Sequence, residues 1–157
     1  MNLSKNIKKG FTLIEILLVV AILSILLVVV FAALNPAKRL EDTRNARRWN
    51  DVNQILTAVH EYIVDNKGSC PGSLGCTTQA TVELGTCTTG NANCPVLTGV
   101  SDCLDLTTGL SPYLASIPKD PSVTGTTNSG YAIGVASGIV TVTACHAEGG
   151  QSITVSR

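Results

Sequence analysis

Apolar and polar positions follow three different rhythms along this chain. From Phe11 to Leu34 the run FTLIEILLVVAILSILLVVVFAAL is apolar almost throughout, interrupted by Thr12, Glu15 and Ser24. As a helix it would be roughly 36 Å long, enough to cross a hydrocarbon core of about 30 Å. From Ala37 to Asp65 the pattern predicts a further helix. There Trp49, Val52, Leu56, Val59 and Ile63 recur at alternating steps of three and four, with Ile55 and Tyr62 alongside. That stripe needs a surface to bury against. Asn66 to Ser69 ends the helix, with Gly68 as its C-cap.

Beyond the helix the period falls to two. Tyr131, Ile133 and Val135 alternate with smaller residues, and further strands are predicted over Ile139 to Cys145 and Ile153 to Val155. Ser137-Gly138 and Glu148-Gly149-Gly150 supply the turns. A short strand is expected at Thr81–Leu84, inside a Cys-, Thr- and Gly-rich connection reaching to about Val100. The segment LSPYLASIPKDP, Leu110 to Pro121, predicts a short helical turn and then a sharp corner. The fold class is therefore α+β: a long N-terminal helix, membrane-spanning in its first half, packed on a small antiparallel sheet whose loops are tied by disulfides.

The chain has 157 residues, enough for one ordinary domain. Net charge is formally zero, but Met1 to Val64 carry eight Lys/Arg against five Asp/Glu, and Asp65 to Arg157 three against six. The larger folded part is acidic, which argues against a wholly basic nucleic-acid binder. All six cysteines, Cys70, Cys76, Cys87, Cys94, Cys103 and Cys145, follow the apolar run, and no C-x-x-C pair occurs among them. An even number without close pairs reads as a disulfide framework rather than a zinc site, and places this half in an oxidising compartment. The expected pairing is Cys70–Cys76, Cys87–Cys94 and Cys103–Cys145, because the first two close short loops containing Gly and Asn. With six aromatics in the chain the core is light, so the cross-links matter to its stability.

Before the apolar run stands MNLSKNIKKG, with Lys5, Lys8 and Lys9 and no acid. A secretory signal peptide has such a start, but its apolar region is much shorter. A plain signal anchor fits the length and the leader and leaves Glu15 unexplained. Charge alone does not orient the span, since Lys38, Arg39, Arg44, Arg47 and Arg48 follow it. The cysteine-rich head decides for leader inside and head outside.

Glu15 is the most informative residue. A lone carboxylate in lipid costs several kcal/mol, so it has a partner or a task. A cut between Gly10 and Phe11 would create an amine at the positive end of a helix, about one turn from that carboxylate. Lys8-Lys9-Gly10-Phe11-Thr12-Leu13-Ile14-Glu15 resembles the signal of type IV pilins and type II secretion pseudopilins. The resemblance implies cleavage after Gly10 by a membrane peptidase, N-methylation of Phe11 by the same enzyme, and pairing of Glu15 with the amine of a neighbouring subunit during assembly. The segment LSPYLASIPKDP is also similar, less specifically, to one before the sheet in pilin and pseudopilin heads. One feature departs from the family: its helix-bending proline falls near the position of Ala32, whereas here Asn35-Pro36 stands just beyond the span. Asn-Pro either caps a fresh helix or kinks a continuing one.

Lys38 with Asp42, Glu41 with Arg44, and Arg47 with Asp51 are spaced for local ion pairs. The stretch reads as a solvated, salt-bridged surface, or as a contact zone for lipid headgroups or neighbouring subunits. Arg44, Arg47 and Arg48 are weak grounds for DNA binding, and nucleic acid is not an expected partner. No catalytic set emerges, so no enzyme is expected. His60 reads as a partly buried helix residue and His146 as a surface residue beside a bridged cysteine. Gly130, Gly134 and Gly138 lack the Lys-Ser/Thr that would make a phosphate loop and read as strand and turn glycines. No cofactor is expected. Calcium is the one candidate, through Asp102, Asp105 and Asp120, but their spacing forms no EF-hand-like loop and they read as solvated acids.

The chain is thus expected to divide into a cytoplasmic leader (1–10), a transmembrane and assembly helix (11–34), an amphipathic continuation (35–66) and an extracytoplasmic cysteine-rich head (67–157). The resemblance implies a structural subunit of a type IV pilus-like filament. A secretion pseudopilin is the alternative, and a tethered, non-polymerising binding module the third. The cysteine-rich connection favours a surface pilus and the IPKDP corner a pseudopilin. Its partners would be the prepilin peptidase, identical or related subunits, the inner-membrane assembly machinery and, before assembly, membrane lipid. Its place would be the inner membrane with the head outside, then an extracellular or periplasmic filament.

Overall fold

A helix that is apolar on every side has no face to turn towards a core, and the computed structural model leaves it without one. The structure describes residues 10–87, 94–95, 97, 103–125 and 127–157. They form two units, one ending at Arg39 and the other beginning at Leu40. In the first, α1 (Leu13–Leu34) buries none of its residues. Among the described residues it is the one helix long and apolar enough to cross a membrane, with mean hydropathy 3.4. It begins two residues after Phe11, because the Thr12 side chain caps it. Asn35 ends it in the left-handed region, at φ 39°. The same residue starts α2 (Pro36–Asp65): its carbonyl accepts from Arg39 N at 3.3 Å and its side chain from Lys38 N at 3.5 Å. Pro36, at the first helical position, has no N–H to leave unsatisfied. Of the two readings of Asn-Pro, the structure takes the fresh helix.

In the second unit α2 buries Val52, Ile55, Leu56, Ala58 and Val59, with Tyr62 and Ile63 packed partly against the same core. Trp49 does not continue this stripe; it is 41% exposed. The buried face runs up through Arg48 and Asn45 instead. It can do so because Arg48 finds acids inside the head, which a tryptophan could not use. Lys67 and Gly68 end the helix, both at positive φ, with Gly68 N donating to Ile63 O at 2.8 Å. The first left-handed residue is thus Lys67, one before the expected glycine.

The sheet is antiparallel throughout, in the order β1 (Thr78–Gly85), β2 (Asn128–Ala136), β3 (Ile139–Ala144), β4 (Thr154–Ser156). The meander β2–β3–β4 follows the sequence alternation, and the short strand expected at Thr81–Leu84 extends to eight residues along β2. Ser137 and Gly138, at φ 53° and 79°, close the β2–β3 hairpin in the twist that favours glycine. Tyr131, Ile133, Val140, Val142 and Ile153 meet the α2 stripe, and Leu106, Leu110 and Leu114 from the segment containing α3 (Thr107–Leu110) complete that core. β2 is buried on both faces rather than one. Its second face carries Ala132, which packs with Cys94, Cys145 and Leu97.

Disulfides join Cys70 to Cys76, Cys87 to Cys103 and Cys94 to Cys145. The first was expected; the other two correct the pairing. Cys103 N donates to Cys87 O at 3.2 Å, and Leu104 forms a parallel bridge with Leu84. This main-chain contact brings Cys103 to Cys87, although Cys94 is nearer in sequence. Cys145, at the end of β3, takes Cys94 over the second face of β2.

Candidate functional site

Gly10 and Phe11 precede α1 in non-helical backbone; Gly10 is exposed and Phe11 78% exposed. A Cβ added at Gly10 would meet nothing within 4 Å. Thr12 lies in extended conformation, and its hydroxyl accepts from Glu15 N at 3.3 Å. A threonine before the helix and a glutamate three residues later is the arrangement of a capping box, with one of its two bonds made here. Glu15 stands in the first turn, where the helix dipole favours a negative charge. The sequence treatment of Thr12 as a polar interruption missed this, although Thr-x-x-Glu was its signal. Ser24, the remaining polar residue of the span, returns its hydroxyl proton to Val20 O at 2.8 Å. That leaves Glu15 as the polar group of α1 whose chemistry the helix does not absorb. Lys5, Lys8 and Lys9 lie outside the described residues, as does Asp102.

The basic half of α2 is not the free surface its spacing suggested. Arg48 is fully buried. Its Nε donates to Asp120 Oδ2 at 2.6 Å, while Nη2 donates to Asp120 Oδ1 and to Glu148 Oε1, each at 3.0 Å. Ser122 Oγ accepts from it at 2.6 Å and Asn45 Oδ1 at 2.8 Å. Arg44 pairs with Glu148, through Nε at 2.8 Å and also through Nη2, rather than with Glu41. Asn45 meets the main chain of Glu148 in both directions, accepting from its N at 3.1 Å and donating to its O at 2.9 Å. The bonds from Arg44 and Arg48 hold the Glu148 carboxyl down to about 2, and the bond to Glu148 raises Arg44. Burial works against the Arg48 charge, but its bonds to Asp120 and Glu148 outweigh that and its pKa is raised. Asp120 is therefore a buried ion-pair partner, not a solvated acid. The corner carrying it presses on β2 at Gly130, φ 80°, where an added Cβ would come within 2.6 Å of Asp120 Cβ.

Of the expected local pairs, Arg47–Asp51 forms at 3.8 Å. Asp51 also accepts from the buried Tyr131 hydroxyl at 2.6 Å, and burial followed by that bond raises the tyrosine pKa. Asp105 accepts from Thr107, which lowers its carboxyl. His146 is half-buried rather than a surface residue, and neither its Nε2 nor that of His60 has a hydrogen-bond partner among the described residues. No group of three or more His, Cys, Asp or Glu side chains among the described residues could hold a metal ion.

These elements separate two tasks. The cluster on α2 ties the helix to the corner at Asp120 and to the turn after β3. The start of α1 presents an exposed Gly10–Phe11 bond, a capped helix and the Glu15 carboxylate. A family model described as the prokaryotic N-terminal methylation motif matches residues 5–31, covering that second site. No curated protein and no solved structure matches the chain. The matched motif is the signal of type IV pilins and pseudopilins, so the chain carries a type IV pilin-like N-terminal signal, followed by an apolar α1, a small antiparallel sheet and disulfides.

Proposed function

We propose that the chain is a structural subunit of a type IV pilus-like filament. Lys5, Lys8 and Lys9 hold the leader in the cytoplasm, and a prepilin peptidase hydrolyses the bond between Gly10 and Phe11. The new amine of Phe11 receives one methyl group. The subunit waits in the bilayer on α1, with its disulfide-tied head outside, until assembly machinery draws it into a helical bundle. There helix–helix contact replaces lipid, and Glu15 takes the ammonium of a neighbouring Phe11 as its partner. The observation that carries this reading is Glu15, one carboxylate in a helix with no buried residue, close to an open Gly10–Phe11 bond. A charge left without a partner at that depth is costly, and the amine released by cleavage removes the cost.

The second reading is a secretion pseudopilin, a shorter polymer that stays in the periplasm. It is favoured by the corner at Asp120, which is built into the head through Arg48. Shearing cells and analysing the released material separates the two. Long fibres containing this chain support the pilus, whereas a cell-retained polymer required for protein export supports the pseudopilin.

A further inference from the structure

The charges of α2 run in an order that its own helix does not favour. Lys38, Arg39, Arg44, Arg47 and Arg48 lie in its first half, against Glu41 and Asp42, while its second half holds Asp51, Glu61 and Asp65 and no Lys or Arg; its first turn has no acid and its last no base. Basic groups thus outnumber acids towards the positive end of the helix dipole, and acids alone stand at the negative end, the reverse of the stabilising arrangement. Arg44, Arg48 and Asp51 are accounted for by Glu148, Asp120 and Tyr131. Glu61 is not, and Arg47 and Asp65 are so only in part. The Arg47 side chain is 62% exposed and reaches Asp51 at 3.8 Å, a surface pair of little worth.

At the acidic end a cleft of about 400 Å³ opens beside Glu61, Val64, Asp65 and Tyr113. The Glu61 side chain makes no hydrogen bond or ion pair among the described residues. Asp65 accepts from the Tyr113 hydroxyl at 2.8 Å through one of its two oxygens. Val64, 76% exposed, and the Tyr113 ring offer apolar wall for an aliphatic stem. His60 lines the cleft, and its buried Nε2 is without a partner among the described residues. Arg157 is the basic group on the wall, against two acids. The chemistry suits a long cationic side chain.

We propose that this cleft takes the Arg47 guanidinium of a second copy of the chain, an interface that rests on the filament reading. Arg47 and Asp65 are 18 residues apart in the sequence, and Arg47 and Glu61 14. At 3.6 residues per turn, that puts Asp65 on the same side of the helix as Arg47 and Glu61 within about 40° of it, roughly 27 and 21 Å away. A parallel copy displaced by that amount along α2, and turned about its axis so that the two faces meet, brings opposite charges together. Such a displacement converts an order unfavourable within one helix into complementarity between two. An anionic lipid surface would also attract Arg47, but it leaves the acids and their cleft without a role.

The test uses full-length protein assembled in cells, with the variants Arg47→Glu, Glu61→Arg and the two combined. Each single reversal should lower polymer yield by about fivefold, and the double should restore it to within about twofold of the wild type. Arg47→Lys then serves as a reporter. Carbodiimide treatment of polymer grown from mixed light- and heavy-nitrogen subunits should join position 47 of one copy to Glu61 or Asp65 of another. Thermal unfolding of each variant checks the fold, which substitutions at these exposed positions should leave intact. Normal polymer from both single variants, no rescue in the double, or cross-links confined within one chain would overturn the interface. Loss of binding to anionic vesicles on Arg47→Glu, again without rescue by Glu61→Arg, would assign Arg47 to lipid headgroups and overturn it too. A wild-type chain that forms no polymer at all would defeat the filament reading along with this contact.

Discussion

Arg48 occupies a position on the inner face of α2 that an apolar side chain would ordinarily fill. Its charge is tolerated because Asp120 and Glu148 meet it there, so each partner is costly to remove alone. Arg48→Ala should lower stability by about 3–5 kcal/mol, read from thermal or denaturant unfolding. Combining Arg48→Met with Asp120→Leu should recover most of that loss; equal losses in both would mean that the buried charge is not the cause. Glu148 makes the same cluster sensitive to acid. Its folded pKa of about 2 lies below its ordinary 4.5, so its contribution is present above about 4.5 and disappears as pH falls towards 2. Unfolding temperature should drop through that window, and less steeply in Glu148→Gln. Glu15 answers to a different readout, since it belongs to the other unit, in a helix that buries none of its residues. Glu15→Ala should leave cleavage after Gly10 largely intact and reduce polymer by about tenfold or more. Normal polymer yield from that variant would remove the acid from assembly.

At the scale of elements, what could be foreseen followed local periodicity. The span of α1, the helix to Asp65 and the meander β2–β3–β4 were legible because large apolar side chains repeat at 3.6 or 2 residues, or run unbroken. The full length of β1 was not, because Thr78 to Thr81 are mostly exposed and their polar sequence resembles a loop. The ion cluster was hidden for another reason: Arg48 and Asp120 are 72 residues apart, Arg48 and Glu148 100, and no short-range spacing links them. Its trace was the stripe of Asn45, Arg48 and Val52 at steps of three and four, which the more hydrophobic Trp49 masked. Disulfide pairing failed similarly, since backbone contact of Cys103 with Cys87, not loop length, sets it. Peptide mapping without reduction should recover Cys94 linked to Cys145. Cys94→Ser with Cys145→Ser, which opens a 51-residue separation, should cost about 2–5 kcal/mol in unfolding. A Cys87–Cys94 peptide would contradict the structure.

For the whole molecule, the two units differ in what they bury. The head keeps its own core, ion cluster and disulfides in Leu40–Arg157, whereas α1 buries nothing within the chain. Its apolar surface has to be covered by lipid or by other copies. In the proposed function, proteolysis between Gly10 and Phe11 supplies the amine that lets Glu15 pass from one cover to the other. The most direct test is the intact mass of the mature chain purified from its own cells. A mass equal to Phe11–Arg157 with three disulfides and one added methyl group, placed on Phe11 by fragmentation, is the predicted result. A mature chain that still begins at Met1 would contradict the account.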